Sequence, residues 1–215
     1  MGEYGELLSD QIVLQNFSEQ IYHSLRYISL KDESVLLEYD DVIFEGAQGL
    51  LIDEDCLKFA PHLTSSKTGS INPLSLVLQY KPNTVPQLVY VTRSYVTRHG
   101  AGYLPYEQEW QSRGININDP TNITNQWQGS LRFAPHGNLK EFFAPIDDDI
   151  RQCSFPINVS CMVTHLNESQ GNICCYSGDI SVLEWFEHSR IPNYMKQIYL
   201  SYSPYSKDIT LHNLI

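Results

Sequence analysis

The chain has 215 residues, 42% hydrophobic and 12% aromatic, a composition that builds a packed core and excludes a disordered or low-complexity polypeptide. Lys and Arg total 14 against 25 Asp and Glu, a formal charge of -11, which excludes sequence-independent nucleic-acid binding by phosphate neutralisation but leaves room for a local cationic pocket. The cysteines Cys56, Cys153, Cys161, Cys174 and Cys175 are odd in number and form no Cys-x-x-Cys pair, so zinc-ribbon and disulfide-framework readings are weak and a reducing compartment is the expectation.

Asn-x-Ser/Thr sequons occur at Asn16, Asn122, Asn158 and Asn167, and without a signal peptide they read as composition rather than glycosylation sites. No apolar run is long enough to span a bilayer, and the expected location is cytoplasmic.

In chain order, Leu7, Leu8, Ile12, Val13, Leu14, Phe17, Ile21, Leu25 and Ile28 recur at helical spacing and predict an amphipathic packing helix over 8–29. A second short helix is expected over 33–39, so residues 1–38 read as an N-terminal helical segment and 39–215 as the second domain. Val42, Ile43 and Phe44 form the apolar run of a buried strand. Gly46 and Gly49 then bracket Ala47 and Gln48, so the chain leaves that strand with little side-chain bulk and can bring backbone N–H groups to a ligand, with the Gln48 amide as donor and acceptor. An ordinary glycine turn is the alternative. After Leu50-Leu51-Ile52-Asp53 comes His62-Leu63-Thr64-Ser65-Ser66-Lys67-Thr68-Gly69-Ser70, a hydroxyl-rich loop with one cation, suited to a phosphate.

Residues 87–97 are β-branched and aromatic, a strand ending in Arg98-His99-Gly100-Ala101-Gly102. The polar, Asn-rich stretch 110–125 reads as a surface loop or lid. Strands are expected over 158–165 and 197–202, with a helix over 182–187 between them. The expected fold is α/β with a mostly parallel central sheet and flanking helices, whose ligands sit beyond the carboxyl ends of the strands. The segments 46–49, 98–102, 165–167 and 203–208 each follow an expected strand, so one crevice is expected to collect them. His99, His136 and His165 do not have a metal-ligand spacing.

Phe44-Glu45-Gly46-Ala47-Gln48-Gly49, the later Ile52-Asp53, and Thr64-Ser65-Ser66-Lys67-Thr68 resemble, in order and spacing, the adenylosuccinate synthetase family, which carries Phe-Glu-Gly-Ala-Gln-Gly, Leu-Asp and Thr-Ser-Ser-Asn-Thr. Thr97-Arg98-His99-Gly100-Ala101-Gly102 and Pro105 resemble its Thr-Arg-Val-Gly-x-Gly-Pro-Phe-Pro, and the resemblance runs over about 40–208. It implies a ligase of purine biosynthesis that joins aspartate to the 6-position of a purine monophosphate, with GTP and Mg²⁺. Gln48 would lie near the 6-oxygen, where a neutral amide can stabilise a developing oxyanion, and Thr64 near the phosphate. Gly46, Gly49 and Arg98 would complete that site, with Ser130 and Arg132 standing where the family grips its aspartate substrate.

Thr164-His165-Leu166-Asn167 stands where the family has Thr-Lys-Leu-Asp for guanine, and Ser203-Pro204 where it has Gly-Pro beside the base. Asn offers both a donor and an acceptor where the family has an acceptor, so GTP and ATP both stay open. The family's Gly-Asp-Glu-Gly-Lys-Gly loop occurs nowhere in these residues, and the general base, the histidine and the Mg²⁺ ligands have no counterpart. The chain alone is therefore not expected to catalyse. One reading is the C-terminal part of a synthetase completed by a chain supplying the N-terminal half, or acting in a homodimer. The second is a non-catalytic nucleotide-binding or protein-interaction relative. The third is a member of the divergent viral 2-aminoadenylosuccinate synthetase-like branch, with dGMP in place of IMP.

Overall fold

A computed structural model describes residues 3–113, 117, 119, 122–187 and 191–214, and the chain forms two compact units, Met1–Val42 and Ile43–Ile215.

In the first unit the helix expected over 8–29 is α2 (Gln11–Ser24), shorter at both ends, and a break separates it from a further helix, α1 (Glu3–Leu7). The break is local chemistry: the Asp10 carboxylate accepts from the Ile12 N–H at 2.8 Å and the Val13 N–H at 3.3 Å, so Asp10 is an N-cap rather than an interior residue. No residue of α2 is buried, and Ile12 and Phe17 stand 71% and 61% exposed. The helix expected over 33–39 is a 3₁₀ turn, Glu33–Glu38, started by Asp32 accepting from Ser34 N at 2.9 Å.

The second unit is built on a four-stranded sheet. Its strands are β1 (Gln87–Arg93), β4 (Asn158–Thr164), β7 (Met195–Ser201) and β8 (Ile209–Asn213), in the spatial order β1-β4-β7-β8. β1, β4 and β7 run parallel, with Tyr90 opposite Cys161 and Cys161 opposite Ile198, and β8 closes antiparallel on β7. A mixed α/β fold with a mostly parallel sheet is thus what the residues form.

The strand expected over 87–97 is two. After β1 the chain turns at the buried Ser94 and Tyr95, and β2 (Val96–Arg98) leaves the main sheet to pair antiparallel with β3 (Arg132–Ala134). The Ser94 N–H is donated to the Thr164 carbonyl, and the Ser94 carbonyl accepts from Cys174, so both backbone groups of Ser94 keep a partner through the bend.

The strand expected at Val42–Phe44 is absent. Residues 43 and 44 are 92% and 40% exposed, and among the described residues no strand lies beside them. An apolar run becomes a strand only when a ladder partner satisfies its backbone, and this one has none. The outer edge of β1 likewise carries no strand among the described residues, and its Val89 and Val91 are exposed.

Helices flank the sheet. α3 (Ile71–Tyr80) precedes β1, while α4 (Glu107–Ser112) occupies the start of the expected lid, whose residues 114–116, 118, 120 and 121 lie outside the described residues. α5 (Leu139–Ile150) begins at Asn138, whose side chain accepts from Glu141 N at 3.0 Å, and buries Leu139, Phe143 and Ile146. These pack with Val182, Trp185 and Phe186 around α6 (Val182–Glu187), and with Val159, Cys161, Val163, Ile198 and Leu200 of the sheet. Each large apolar side chain buried there contributes about 1.5–3 kcal/mol. A small hairpin, β5 (Asn172–Ile173) with β6 (Ile180–Ser181), feeds α6. No helix among the described residues is long and apolar enough to cross a membrane.

Candidate functional site

The loops at 46–53 and 62–70 form one hydrogen-bonded body. Thr64 N donates to Ile52 O at 2.8 Å and Glu54 N to Ser66 O at 3.2 Å. Thr68 N donates to Asp53 Oδ2 at 2.6 Å, and the Thr68 hydroxyl reaches Gly49 O at 3.1 Å. Burial opposes ionisation of Asp53, but the N–H groups of Asp55 and Thr68, with Lys67 nearby, outweigh it and hold its carboxyl below the usual range.

Lys67, the one cation of the loop, is not turned outward. Its ammonium meets Asp55, lies 3.4 Å from Glu54 and sits 4.0 Å from Asp53, and the Asp55 hydrogen bond foremost raises its pKa. Thr64 is half-buried and Gln48 exposed.

Gly46 and Gly49 have no intramolecular need to be glycine. Neither has a positive φ; a Cβ at Gly49 would meet nothing within 4 Å, and one at Gly46 only Thr68 O at an ordinary 3.8 Å. Gly69 and Gly102 differ. A Cβ at Gly69 would overlap the Asp149 carboxylate, and Gly102, at φ +108, is pressed against Arg98 and His62.

Arg98 and Arg132 meet around that last turn. Arg98 donates Nε to Ala101 O at 3.1 Å and Nη2 to His62 O at 2.8 Å, which joins the 62–70 loop to the end of β2. Arg132 grips Glu107 with Nε at 2.7 Å and with Nη2, and its Nη1 serves Gly100 O at 3.0 Å and Gly102 O at 2.8 Å. Partial burial, then the neighbouring Arg132, lowers the Arg98 pKa, while the hydrogen bond from Arg132 keeps Glu107 ionised below its usual range. Thr64, Arg98 and Arg132 are therefore brought together through His62 and Gly102, with Gly46 to Gly49 tied in by Thr68. Ser130 is exposed, beside a turn in which Asn125 Oδ1 accepts from Trp127 and Gln128 N–H groups.

The other expected residues sit at the carboxyl ends of β4 and β7. His165 takes a left-handed φ of 60°, its Nδ1 is 2.9 Å from Thr164 Oγ1, and its carbonyl accepts from Ser94 Oγ at 3.1 Å. Burial, then Arg93, pushes its pKa below the ordinary value. Asn167 and Pro204 are exposed, while Ser203 Oγ donates to Asp208 Oδ2 at 2.6 Å. The site residues thus fall into two groups, one around 46–70, 98 and 132 and one at the β4 and β7 ends. A cavity of about 510 Å³ lies apart from both, lined by Gly137, Asn138, Asp179, Glu184 and Trp185 among others, and no expected site residue lines it.

Several residues that organise these groups carried no motif. Tyr95 donates to Glu168, and Arg93 pairs with Asp119 at 3.2 Å, both beside His165. Asp149 and Tyr90 stand behind the 62–70 loop. Only Asp149 had a signal: it continues the stripe Leu139, Phe143, Ile146 at helical spacing, which marks an acid on the buried face. Among the described residues no group of three or more His, Cys, Asp or Glu is placed to hold a metal ion.

The family model described as adenylosuccinate synthetase matches residues 9–125. The match begins inside the first unit and ends before Ser130, Arg132, His165, Asn167 and Ser203. Curated adenylosuccinate synthetases from Clostridium botulinum (strain Eklund 17B / Type B), Syntrophotalea carbinolica and Thermoplasma volcanium are 33%, 34% and 30% identical to the chain. The aligned stretches cover 48%, 48% and 46% of this chain and 23%, 24% and 24% of those relatives, so the chain spans about a quarter of their length.

Proposed function

The chain belongs to the adenylosuccinate synthetase family, and on that premise we propose that it supplies the purine-monophosphate site of a ligase that joins aspartate to the 6-position of the base. The observation that carries this reading is the bareness of Gly46 and Gly49. Neither backbone strain nor internal packing asks for glycine there, so the space they leave is open, next in sequence to the Gln48 amide and joined through Thr68 to the loop that carries Thr64. Backbone that approaches a ligand closely has that requirement.

In this reading Gln48 donates to the purine 6-oxygen as negative charge develops on it, and Thr64 with its neighbouring hydroxyls holds the 5′-phosphate. Arg98 is the better placed of the two arginines for an anion. Its Nη1 donors have no partner among the described residues, whereas Arg132 is committed to Glu107 and to two carbonyls as the strut of the 98–107 turn. Of these two neighbouring guanidiniums Glu107 neutralises only Arg132, which leaves a positive field that favours phosphate or the aspartate carboxylate. Ser130 would face the aspartate, and His165, Asn167, Ser203 and Pro204 the base of the triphosphate.

The phosphates of that triphosphate and their Mg²⁺, which the family implies, find no holder among the described residues: Lys67 is enclosed by carboxylates, and no group there is placed to hold a metal ion. The phosphate-cradling loop would come from a complementary chain. The non-catalytic relative is the second reading, and the same enclosure of Lys67 favours it.

Calorimetric titration of the chain with IMP, dGMP, GTP and ATP tests the proposal. Binding of one monophosphate is expected, weakened about tenfold or more by Gln48→Ala and by Thr64→Ala, each of which removes a hydrogen bond to ligand. Unchanged affinity in both variants would show that the monophosphate lies elsewhere.

A further inference from the structure

Asp149 is 5% exposed in the last turn of α5, directly after Asp147 and Asp148. Acids at a helix carboxyl end face the negative pole of the dipole, and a buried carboxylate is costly without compensation. Among the described residues Asp149 has no ion pair. Its compensation is neutral and comes from two other elements: Ser70 N–H, 3.0 Å from both oxygens, and the Tyr90 hydroxyl, which donates to Oδ2 at 2.7 Å. Burial foremost, then this carboxylate, pushes the Tyr90 pKa well up, so the phenol stays a donor.

Three elements meet at this one group. Tyr90 lies in β1, Asp149 in α5, and Ser70 at the junction of the 62–70 loop with α3. Gly69 lets the loop backbone come against the carboxylate, since any Cβ there would overlap it. Asp53 fixes the same loop one residue upstream of Gly69, at Thr68, and through Thr68 Oγ1 the loop reaches Gly49. The loop is thus pinned from one side by Asp53 and from the other by Asp149.

We infer that Asp149 is a positioning residue for the phosphate end of the purine-monophosphate site: with Tyr90 it fixes the backbone after Thr68, so that the hydroxyls of Thr64 to Thr68 are held ready for a phosphate monoester. The inference rests on the monophosphate reading above and deepens it. Asp149 itself touches no ligand. Its carboxylate, lacking a cation, orients backbone N–H without placing a positive charge that would compete for the phosphate.

The test is titration of the intact chain and of Asp149→Asn and Tyr90→Phe with IMP and dGMP, and with the matching nucleosides inosine and deoxyguanosine. Asp149→Asn keeps the shape but puts an amide where the carboxylate accepted, and is expected to lower monophosphate affinity about tenfold to a hundredfold. Tyr90→Phe removes one hydroxyl and is expected to lower it several-fold. Nucleoside affinity should change by less than about twofold in both, because the phosphate contacts alone are displaced. Equal losses for nucleoside and monophosphate would make Asp149 an ordinary structural acid and overturn the inference, as would unchanged monophosphate affinity. If Asp149→Asn does not fold, Tyr90→Phe decides by the same contrast. Failure of the unaltered chain to bind either monophosphate overturns the parent reading and this inference with it, whereas binding that ignores both substitutions overturns this inference alone.

Discussion

Two helices in this molecule carry the same kind of information and meet different fates. α2 and α5 have 14 and 12 residues, each is opened by an acidic or amide N-cap, and each has an apolar stripe at helical spacing. On α5 the stripe is covered, with Leu139, Phe143 and Ile146 at 6%, 4% and 3% exposure; on α2 Ile12 and Phe17 remain at 71% and 61%. Periodicity specifies that a helix has a face to bury. It does not specify what will cover that face.

The sharpest way to separate the two is truncation of a matched side chain. Phe143→Ala should lower the stability of the second unit by about 3–5 kcal/mol, read from the urea midpoint. Phe17→Ala should shift it by no more than about 0.5 kcal/mol. A large effect at Phe17 would mean that the α2 stripe is covered in solution.

Acid should find the packed region next. His136 is buried between Phe142 and Trp185, its Nε2–H donates to the Arg93 carbonyl at 2.9 Å, and burial lowers its pKa from 6.5 to about 4. Its folded value lies below its unfolded one, so the unfolded chain takes up the proton first. The associated stability is complete above pH 6.5 and falls as the pH drops toward about 4, by about 3 kcal/mol over the window. His136→Gln, which retains a donor for the Arg93 carbonyl, should flatten that part of the pH–stability curve. An unchanged slope would assign it to other groups.

The smallest contrast lies in the caps. Asn138→Ala should cost about 1 kcal/mol of global stability without loss of helical circular dichroism, because packing holds α5. Asp10→Ala, costing a similar amount in a helix with no buried residue, should instead lower the helical signal. Equal behaviour of the two would erase the distinction.

The same division explains what could be read from residues alone. β4, α6 and β7 fall within two residues of their expected limits because each is a buried apolar segment bounded by turns. α5 has no counterpart among the expected elements: Pro145 and three consecutive aspartates interrupt its pattern, and only the apolar stripe beneath them holds it. The run at 42–44 had the right composition for a strand and lacked a neighbour. At the site, the motif order suggested a shared ligand for Gln48 and Thr64. It could not foretell that Lys67 would turn to Asp55, or Arg132 to Glu107 across 25 positions of sequence, since such pairings are set by the fold and not by spacing.

The edge of β1 that no described strand pairs with has a consequence for how the molecule behaves in company. Its one charge is Arg93 at the end of the strand, and among the described residues no strand pairs with the edge beside the exposed Val89 and Val91. Such a flank adheres to extended polypeptide on contact, at a range of a few ångströms, whereas the net charge of -11 keeps copies apart over about a Debye length, roughly 10 Å at 0.1 M salt. Salt shortens the second reach and leaves the first intact. Association that grows with salt is therefore the behaviour expected of this edge, with dilute buffer the condition that holds copies apart.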